Sequence, residues 1–177
     1  MIHADEPELF YLDHQAHFLP HVRLLAQKVT DSGWRPEFII GIGRGGLVPA
    51  VYISHQLDVP MLSIDHSAKV PGFADELLGK VAAMSAEGRR LLFVDDINDT
   101  GGTIEHIRTL LAGQGCDAGN LRFAMLINNV RSRATAEIWA QEIDRDQDKR
   151  WFVFPWEAVG ERETIVEEAR SVPERLA

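Results

Sequence analysis

The chain has few of the features that would place it in a specialised class. Its one cysteine, Cys116, excludes an internal disulfide among 177 residues, so a reducing compartment is expected. It has no apolar run long enough to span a bilayer, and its first residues do not resemble a secretory signal, so we expect a cytoplasmic protein. Positive charge is scarce: a net charge of −9 argues against nucleic acid or an anionic membrane as a partner.

Short apolar runs alternate along the chain with longer amphipathic segments. The runs predict strands at 37–42, 60–65, 91–94, 121–127, 136–139 and 151–154. The amphipathic segments predict helices at 14–31, 47–57, 75–86, 102–112 and 161–170. This order predicts an α/β fold with a parallel sheet and helices on both of its faces. We expect a mobile loop at 66–74 and a solvated loop at 141–150.

One segment places three carboxylates between a strand and a helix. Residues 91–94 predict a buried strand, and Asp95, Asp96 and Asp99 follow it. The turn 100–103, Thr-Gly-Gly-Thr, then opens a helix. Carboxylates suit a cation or a sugar diol, whereas the free main-chain N–H groups at a helix start suit a phosphate. The segment therefore predicts a ligand that carries both a hydroxylated sugar and a phosphate.

A glycine-rich segment follows the first predicted strand. Residues 41–46 fit the pattern G-x-G-x-x-G, and Asp65 ends the next strand, which is typical of dinucleotide-binding proteins. That interpretation leaves the acidic segment unexplained. We therefore favour residues 43–46 as a second anion-binding loop, with Arg44 beside a diphosphate. The helix after this loop is expected to hold Pro49 in its first turn.

Together these segments resemble the type I phosphoribosyltransferases. The signature of that family is an apolar strand, two acids, two variable residues and Asp-Thr-Gly-x-Thr, and residues 94–103 match it at every position. Residues 43–49 resemble the pyrophosphate loop of the 6-oxopurine enzymes of xanthine-guanine type, and residues 151–157 resemble their C-terminal segment. The resemblance implies the type I phosphoribosyltransferase fold.

The family fold carries a small hood, formed by the N-terminal and C-terminal segments. The resemblance assigns 1–36 to an N-terminal helix and a part of the hood. It assigns 37–135 to the core that binds 5-phosphoribosyl 1-diphosphate (PRPP), and 136–177 to the base-binding hood and tail. It also implies transfer of the 5-phosphoribosyl group to xanthine, guanine or hypoxanthine, with release of pyrophosphate, in purine salvage. Mg²⁺ is the implied cofactor, and a homodimer or homotetramer is the implied assembly.

The resemblance also assigns roles to individual residues. Asp99 is expected to accept the N7 proton of the purine as general base. The expected PRPP-binding residues are Gly43, Arg44, Gly45, Asp95, Asp96, Asp99, Thr100, Gly101, Gly102 and Thr103. The expected base-binding residues are Asn128, Trp151, Phe152 and Glu157. Asp95, Asp96 and Glu157 are the expected metal ligands, and Ser67 and Lys69 belong to the expected lid. A cis peptide bond is implied between Gly43 and Arg44.

The chain departs from the family where the purine 6-oxo group is expected to bind. A lysine usually follows the fourth strand, whereas this chain has Asn128, with Arg131 and Arg133 close behind. The sequence therefore leaves the accepted base open. Two other functions also remain candidates: a PRPP-binding or nucleotide-binding regulatory protein without turnover, and a nucleotide-dependent oxidoreductase built on residues 41–46. A metal site at His14, His17 and His21 is disfavoured, because their spacing suits a solvated helix face.

Overall fold

Five parallel strands form the central sheet of the protein. The structure is a computed structural model that describes residues 6–64 and 73–172. Its strands are β1 (Leu9–Tyr11), β2 (Phe38–Ile42), β3 (Met61–Ile64), β4 (Leu91–Asn98), β5 (Leu121–Asn129), β6 (Ile138–Ile143) and β7 (Trp151–Val153). Its helices are α1 (Leu19–Asp31), α2 (Gly43–Leu57), α3 (Phe73–Ala86), α4 (Gly102–Gly113) and α5 (Arg162–Arg170). The strand order is β3-β2-β4-β5-β6, with every neighbour parallel.

The sheet is buried on both faces because successive strand residues point to opposite sides. Ile39 and Leu92 pack on one face against buried residues of α1 and α2. Ile40 and Phe93, each the next residue along its strand, pack on the other face against α3 and α4. The prediction of a parallel α/β sheet covered by helices is confirmed.

A second, two-stranded sheet pairs a strand near the start of the chain with a strand in its C-terminal part. Its strands β1 and β7 are parallel, and Leu9 pairs with Trp151. The chain then enters α1 through a π-helical turn, His14–Phe18, where the carboxylate of Asp13 accepts hydrogen bonds from the N–H groups of Gln15 and Ala16. From here on, the hood means this second sheet together with residues 154–160, the turn that follows β7. The helix predicted at 14–31 is confirmed, with the π-helical turn as its beginning.

The glycine-rich segment differs from its predicted form. Residues 43–46 are not a loop, because α2 begins directly at Gly43, and Pro49 therefore lies inside the helix rather than in its first turn. The reason is close packing: a Cβ built on Gly46 would lie 2.1 Å from the carbonyl oxygen of Val94. Only a residue without a side chain lets the first turn of α2 approach β4 this closely.

Strand β4 is longer than predicted. It runs to Asn98, so Asp95 and Asp96 are strand residues rather than residues beyond the strand. Helix α3 begins at Phe73, inside the predicted mobile loop, and the loop residues before it lie outside the described part of the chain. None of the helices in the described ranges is long and apolar enough to cross a membrane.

Candidate active site

Two neighbouring cavities open at the carboxyl ends of β2 and β4, where parallel α/β sheets commonly bind ligands. The first has a volume of about 270 Å³ and is lined by residues 95–104 together with side chains of the hood. The second has a volume of about 550 Å³ and lies between the start of α2 and helix α5. Asp95, Asp96, Thr103 and Glu157 line both cavities. Asp95 and Asp96, both predicted from the sequence as site residues, therefore lie between the two cavities.

The carboxylates of Asp95 and Asp96 are close enough to disturb each other's ionisation. Burial and the neighbouring charge of Asp96 raise the pKa of Asp95 well above its usual range. Burial raises the pKa of Asp96 to about 6, against hydrogen bonds that lower it. One of those bonds comes from the N–H of Ile97, at 2.7 Å. Such a pair of half-buried acids favours a partner with hydroxyl donors or positive charge.

Glu157 adds a third acid on the hood side of the pair. Its Oε2 accepts a hydrogen bond of 2.9 Å from the N–H of Phe154. Burial, followed by the charge of Asp96, raises the pKa of Glu157 to about 7. The described residues contain no group of three acid, histidine or cysteine side chains spaced to hold a metal ion. The predicted ligands Asp95, Asp96 and Glu157 therefore do not form a protein cage for the metal.

Glu157 is expected to make the unliganded protein less stable as the pH rises. The pKa of Glu157 is near 7 in the folded protein and 4.5 in its ordinary state. The unfolded chain therefore releases this proton at a lower pH than the folded protein does, and the free energy of unfolding falls between about pH 4.5 and pH 7. Urea unfolding of the wild type and Glu157→Gln at pH 4.5 and pH 8 measures this contribution. Relative to the variant, we expect the wild type to lose about 1–3 kcal/mol over that range. The exposed Glu142→Gln is the matched control, and an identical pH dependence of wild type and Glu157→Gln would contradict the assignment.

The turn between β4 and α4 exposes main-chain donors to the first cavity. Gly101 has a φ of +89°, a conformation that L side chains rarely adopt, and no side chain caps the N-terminus of α4. Gly101 also packs closely, because a Cβ there would lie 2.5 Å from the nitrogen of Ala134. The N–H of Gly102 makes only a long contact of 3.4 Å to Oγ1 of Thr100, and the first turn of α4 therefore keeps main-chain donors of the kind that bind an anion.

The aromatic side chains predicted to bind a base lie in the same cavity. Trp151 and Phe152 of β7, with Phe154, line it beside Asp99 and Glu157. Asn128 does not line it: this buried amide accepts a hydrogen bond of 2.8 Å from the side chain of Asn98. In this structure Asn128 holds neighbouring strands together, because its register places it opposite Asn98.

Arg145 is the site residue that the sequence analysis missed. It lies in the segment predicted to be a solvated loop, yet it is only 3% exposed and lines the first cavity. Its Nε and Nη2 donate to the two carboxylate oxygens of Asp99, at 2.8 and 2.7 Å. The expectation of a solvated loop holds for the exposed turn at Asp146 and Gln147, but it was wrong for 141–143, which belong to β6, and for Arg145, which a buried ion pair fixes beyond the end of that strand. No sequence signal separates Arg145 from the other charged residues of that run.

The second cavity contains the predicted diphosphate residues. Gly43, Arg44 and Gly45 line it on one side, and Thr164 and Glu168 of α5 line it on the other. The guanidinium of Arg44 is exposed and lies 3.8 Å from the carboxylate of Glu168. Arg44 is thus an exposed cation at the edge of the cavity, in an ion pair that contributes little to stability.

The predicted cis peptide bond and a substitute for the missing lysine are not found among the described residues. The peptide bond between Gly43 and Arg44 is trans, because all described residues have trans bonds, and a φ of +55° at Gly43 makes the reversal from β2 into α2. Arg131 pairs with Asp144, and Arg133 pairs with Glu105, so neither guanidinium takes the place of the missing lysine. The lid residues Ser67 and Lys69 lie outside the described residues.

Comparisons with known proteins agree with this arrangement. The sequence profile of the phosphoribosyl transferase domain matches residues 11–159. Xanthine-guanine phosphoribosyltransferase of Cereibacter sphaeroides is 30% identical over 140 residues, which cover 76% of each chain. The enzyme of the same name from Desulfotalea psychrophila is 31% identical over 141 residues, covering 76% of this chain and 78% of the relative.

Solved structures show the same fold. A purine phosphoribosyltransferase from Pyrococcus horikoshii superposes with a TM-score of 0.62 and 27% identity, covering 84% of this chain and 93% of that one. A Helicobacter pylori xanthine-guanine-hypoxanthine phosphoribosyltransferase gives a TM-score of 0.62 at 19% identity, covering 93% of this chain and 99% of that one. The second likeness is one of fold alone.

Proposed function

The chain belongs to the phosphoribosyl transferase domain family, and on that premise we propose that it transfers the 5-phosphoribosyl group of PRPP to a 6-oxopurine. The observation that carries the proposal is the pair of cavities that meet at Asp95 and Asp96. PRPP has an anionic group at each end of a ribose. The two cavities offer an anion site on each side of two carboxylates.

The ribose 5-phosphate half of PRPP fits the first cavity. Its 5-phosphate would bind the main-chain N–H groups of residues 99–103, with the hydroxyls of Thr100 and Thr103 as further donors. The ribose 2- and 3-hydroxyls would then donate to Asp95 and Asp96. As the bond from C1 to the diphosphate lengthens, positive charge develops on the ribose, and these two carboxylates would stabilise that charge.

The diphosphate half fits the second cavity. There Arg44 and the main chain of Gly43 and Gly45 would hold its oxygens, and the diphosphate would replace Glu168 as the partner of Arg44. The surrounding acids make this cavity unfavourable for an anion unless a cation is also present.

Magnesium fits the donor chemistry at this junction. Mg²⁺ binds through one or two carboxylates together with substrate phosphates and water, so a full protein cage is unnecessary. Asp95 and Asp96 are the residues that would hold it, with Glu157 nearest on the hood side. When bound, the ion neutralises charge on the leaving diphosphate.

The purine would lie against Trp151 and Phe152, beside Asp99. The purine nitrogen N9 forms the new bond to C1, the bond from C1 to the diphosphate oxygen breaks, and the proton on N7 passes to Asp99. Proton acceptance by a positioned carboxylate contributes about 10²- to 10⁴-fold to a rate. The missing lysine leaves guanine, xanthine and hypoxanthine open as the preferred base.

Gly45→Ala is expected to weaken PRPP binding without unfolding the protein. A Cβ at Gly45 would lie 2.2 Å from Oδ2 of Asp96, so this carboxylate must turn away from the ribose. Because the contact is with a side chain that can move, we expect a loss of stability below about 1 kcal/mol, with PRPP affinity reduced about tenfold or more. Calorimetric titration with PRPP and Mg²⁺ measures the affinity. Unchanged binding in a folded variant would contradict the placement of the ribose at Asp96.

The assembly and location of the protein remain part of the proposal. The family resemblance implies a dimer or tetramer, and Val51, Tyr52 and Leu62 are exposed hydrophobic side chains that support contact between copies. The single cysteine supports a reducing, cytoplasmic location. We expect analytical ultracentrifugation to give a mass of two or four chains. A monomer at micromolar concentration would contradict this part of the proposal.

A base panel tests the function directly. The protein is mixed with PRPP, Mg²⁺ and one base at a time, and both pyrophosphate and nucleoside 5-monophosphate are measured. We expect equal amounts of the two products with at least one 6-oxopurine, and a much lower rate with adenine. PRPP binding without product from any base would contradict turnover and favour the regulatory alternative.

A further inference from the structure

Nearly every N–H donor of the Arg145 guanidinium has a hydrogen-bond acceptor. Nε and Nη2 donate to Asp99, and Nη1 donates to the carbonyl oxygens of Asp148 and Arg150, at 3.0 and 2.6 Å. Four of the five N–H donors of an arginine therefore have acceptors. The guanidinium also lies over the ring of Phe152, with its central carbon 5.2 Å from the ring centroid. Its position is thus fixed from several sides.

Asn129 ties the main chains of the same two residues together. Its Nδ2 donates to the carbonyl oxygen of Asp99 at 2.8 Å, and its Oδ1 accepts from the N–H of Arg145 at 3.2 Å. Asp99 begins the turn proposed to bind the 5-phosphate, whereas Arg145 lies on the chain that leads into β7 of the hood. The phosphate side and the base side of the first cavity are therefore joined both by the Arg145–Asp99 ion pair and by the hydrogen bonds of Asn129.

The location of the ion pair argues for more than a structural role. The side chains of Arg145 and Asp99 are 4% and 14% exposed, and a buried ion pair is by itself weak evidence for stability. Both residues line the cavity proposed to hold the base. A two-pronged arginine contact also sets the plane of a carboxylate, which a lysine contact does not.

We propose that Arg145 is a positioning residue for the transfer reaction and acts through Asp99. It holds the carboxylate of Asp99 in one orientation at the edge of the base cavity, so that the purine N7 proton meets an acceptor already in place. This inference rests on the proposed function. It assigns to Arg145 an effect on turnover and not on the binding of PRPP.

A double-mutant cycle tests whether Arg145 acts through Asp99. Four proteins are compared: the wild type, Arg145→Met, Asp99→Asn and the variant with both changes. We expect Arg145→Met to lower kcat about 10²-fold with PRPP affinity within about threefold of the wild type. In the Asp99→Asn background, the same change should lower kcat by no more than about threefold, because its target is already lost.

Two further variants serve as controls. Arg131→Met removes an arginine that makes the same two-pronged contact, to Asp144 at 3.0 and 3.2 Å, but on an exposed surface outside both cavities. We expect its kcat to stay within about twofold of the wild type. Arg145→Lys keeps the charge and one hydrogen bond, so its kcat should be about tenfold higher than that of Arg145→Met.

Three outcomes would overturn the inference. Folded Arg145→Met could keep the wild-type kcat, or it could lose PRPP affinity and kcat by equal factors. In the third, the double variant would lose kcat by the product of the two single-variant losses. If Arg145→Met does not fold, the comparison of Asp99→Asn with the double variant decides, since neither of these two proteins contains a buried Asp99 carboxylate without its arginine. A further drop in kcat of about tenfold there would contradict the inference. If the wild type itself yields no product with any base, the proposed function fails instead.

Discussion

Asp99→Asn is expected to lower kcat by about 10²- to 10⁴-fold while PRPP binds nearly as well as to the wild type. An amide cannot take the proton that the purine loses. It also leaves the buried guanidinium of Arg145 without a counter-charge, so a loss of stability of about 3–5 kcal/mol should accompany the change. Steady-state kinetics with a 6-oxopurine, together with calorimetric titration of PRPP, separates turnover from binding.

Asp144→Asn is the matched control for this change. Asp144 accepts the same pair of hydrogen bonds from Arg131, on the surface of the protein. Its replacement by asparagine should leave kcat within about twofold of the wild type. Wild-type turnover in Asp99→Asn would reject Asp99 as the general base, whatever the control shows.

Gly46→Ala is expected to destabilise the whole protein rather than the site alone. The added Cβ would lie 2.1 Å from the oxygen and 3.0 Å from the carbon of the Val94 carbonyl, and 3.1 Å from the Cα of Asp95. These are main-chain atoms of β4, so α2 must move away from the sheet. We expect the free energy of unfolding to fall by about 3 kcal/mol or more, as measured by urea unfolding.

Gly113→Ala makes the same chemical change without the clash. Nothing lies within 4 Å of a Cβ at Gly113, the last residue of α4. The free energy of unfolding of Gly113→Ala should therefore equal that of the wild type or exceed it by up to about 1 kcal/mol. A Gly46→Ala protein as stable as Gly113→Ala would show that α2 does not need to pack this closely against β4.

Much of the fold could be predicted because the apolar pattern matches what each strand buries. Residues 91–94 are fully apolar, and in the structure they form the first half of β4, a strand covered on both faces. The glycine and threonine residues at 100–103 likewise indicated a helix start, and α4 begins at Gly102. In both cases, neighbours in the sequence carry the information.

The features that were missed depend on contacts between distant residues. Arg145 is buried only because Asp99, 46 positions away, supplies its counter-charge. Residues 43–46 became helical because their glycines pack against β4, which the local sequence does not reveal. Asn128 was predicted to contact the base, but its partner is Asn98 on the adjacent strand. Charge pairing and close packing across the fold decide such positions, and a single sequence records neither.

The most direct test of the account is a crystal structure with ribose 5-phosphate bound. The account predicts the phosphate on the main-chain N–H groups of residues 99–103 and the 2- and 3-hydroxyls within hydrogen-bond distance of Asp95 and Asp96. A sugar phosphate found outside the first cavity, or one inside it with both carboxylates turned away from the ribose, would contradict the account.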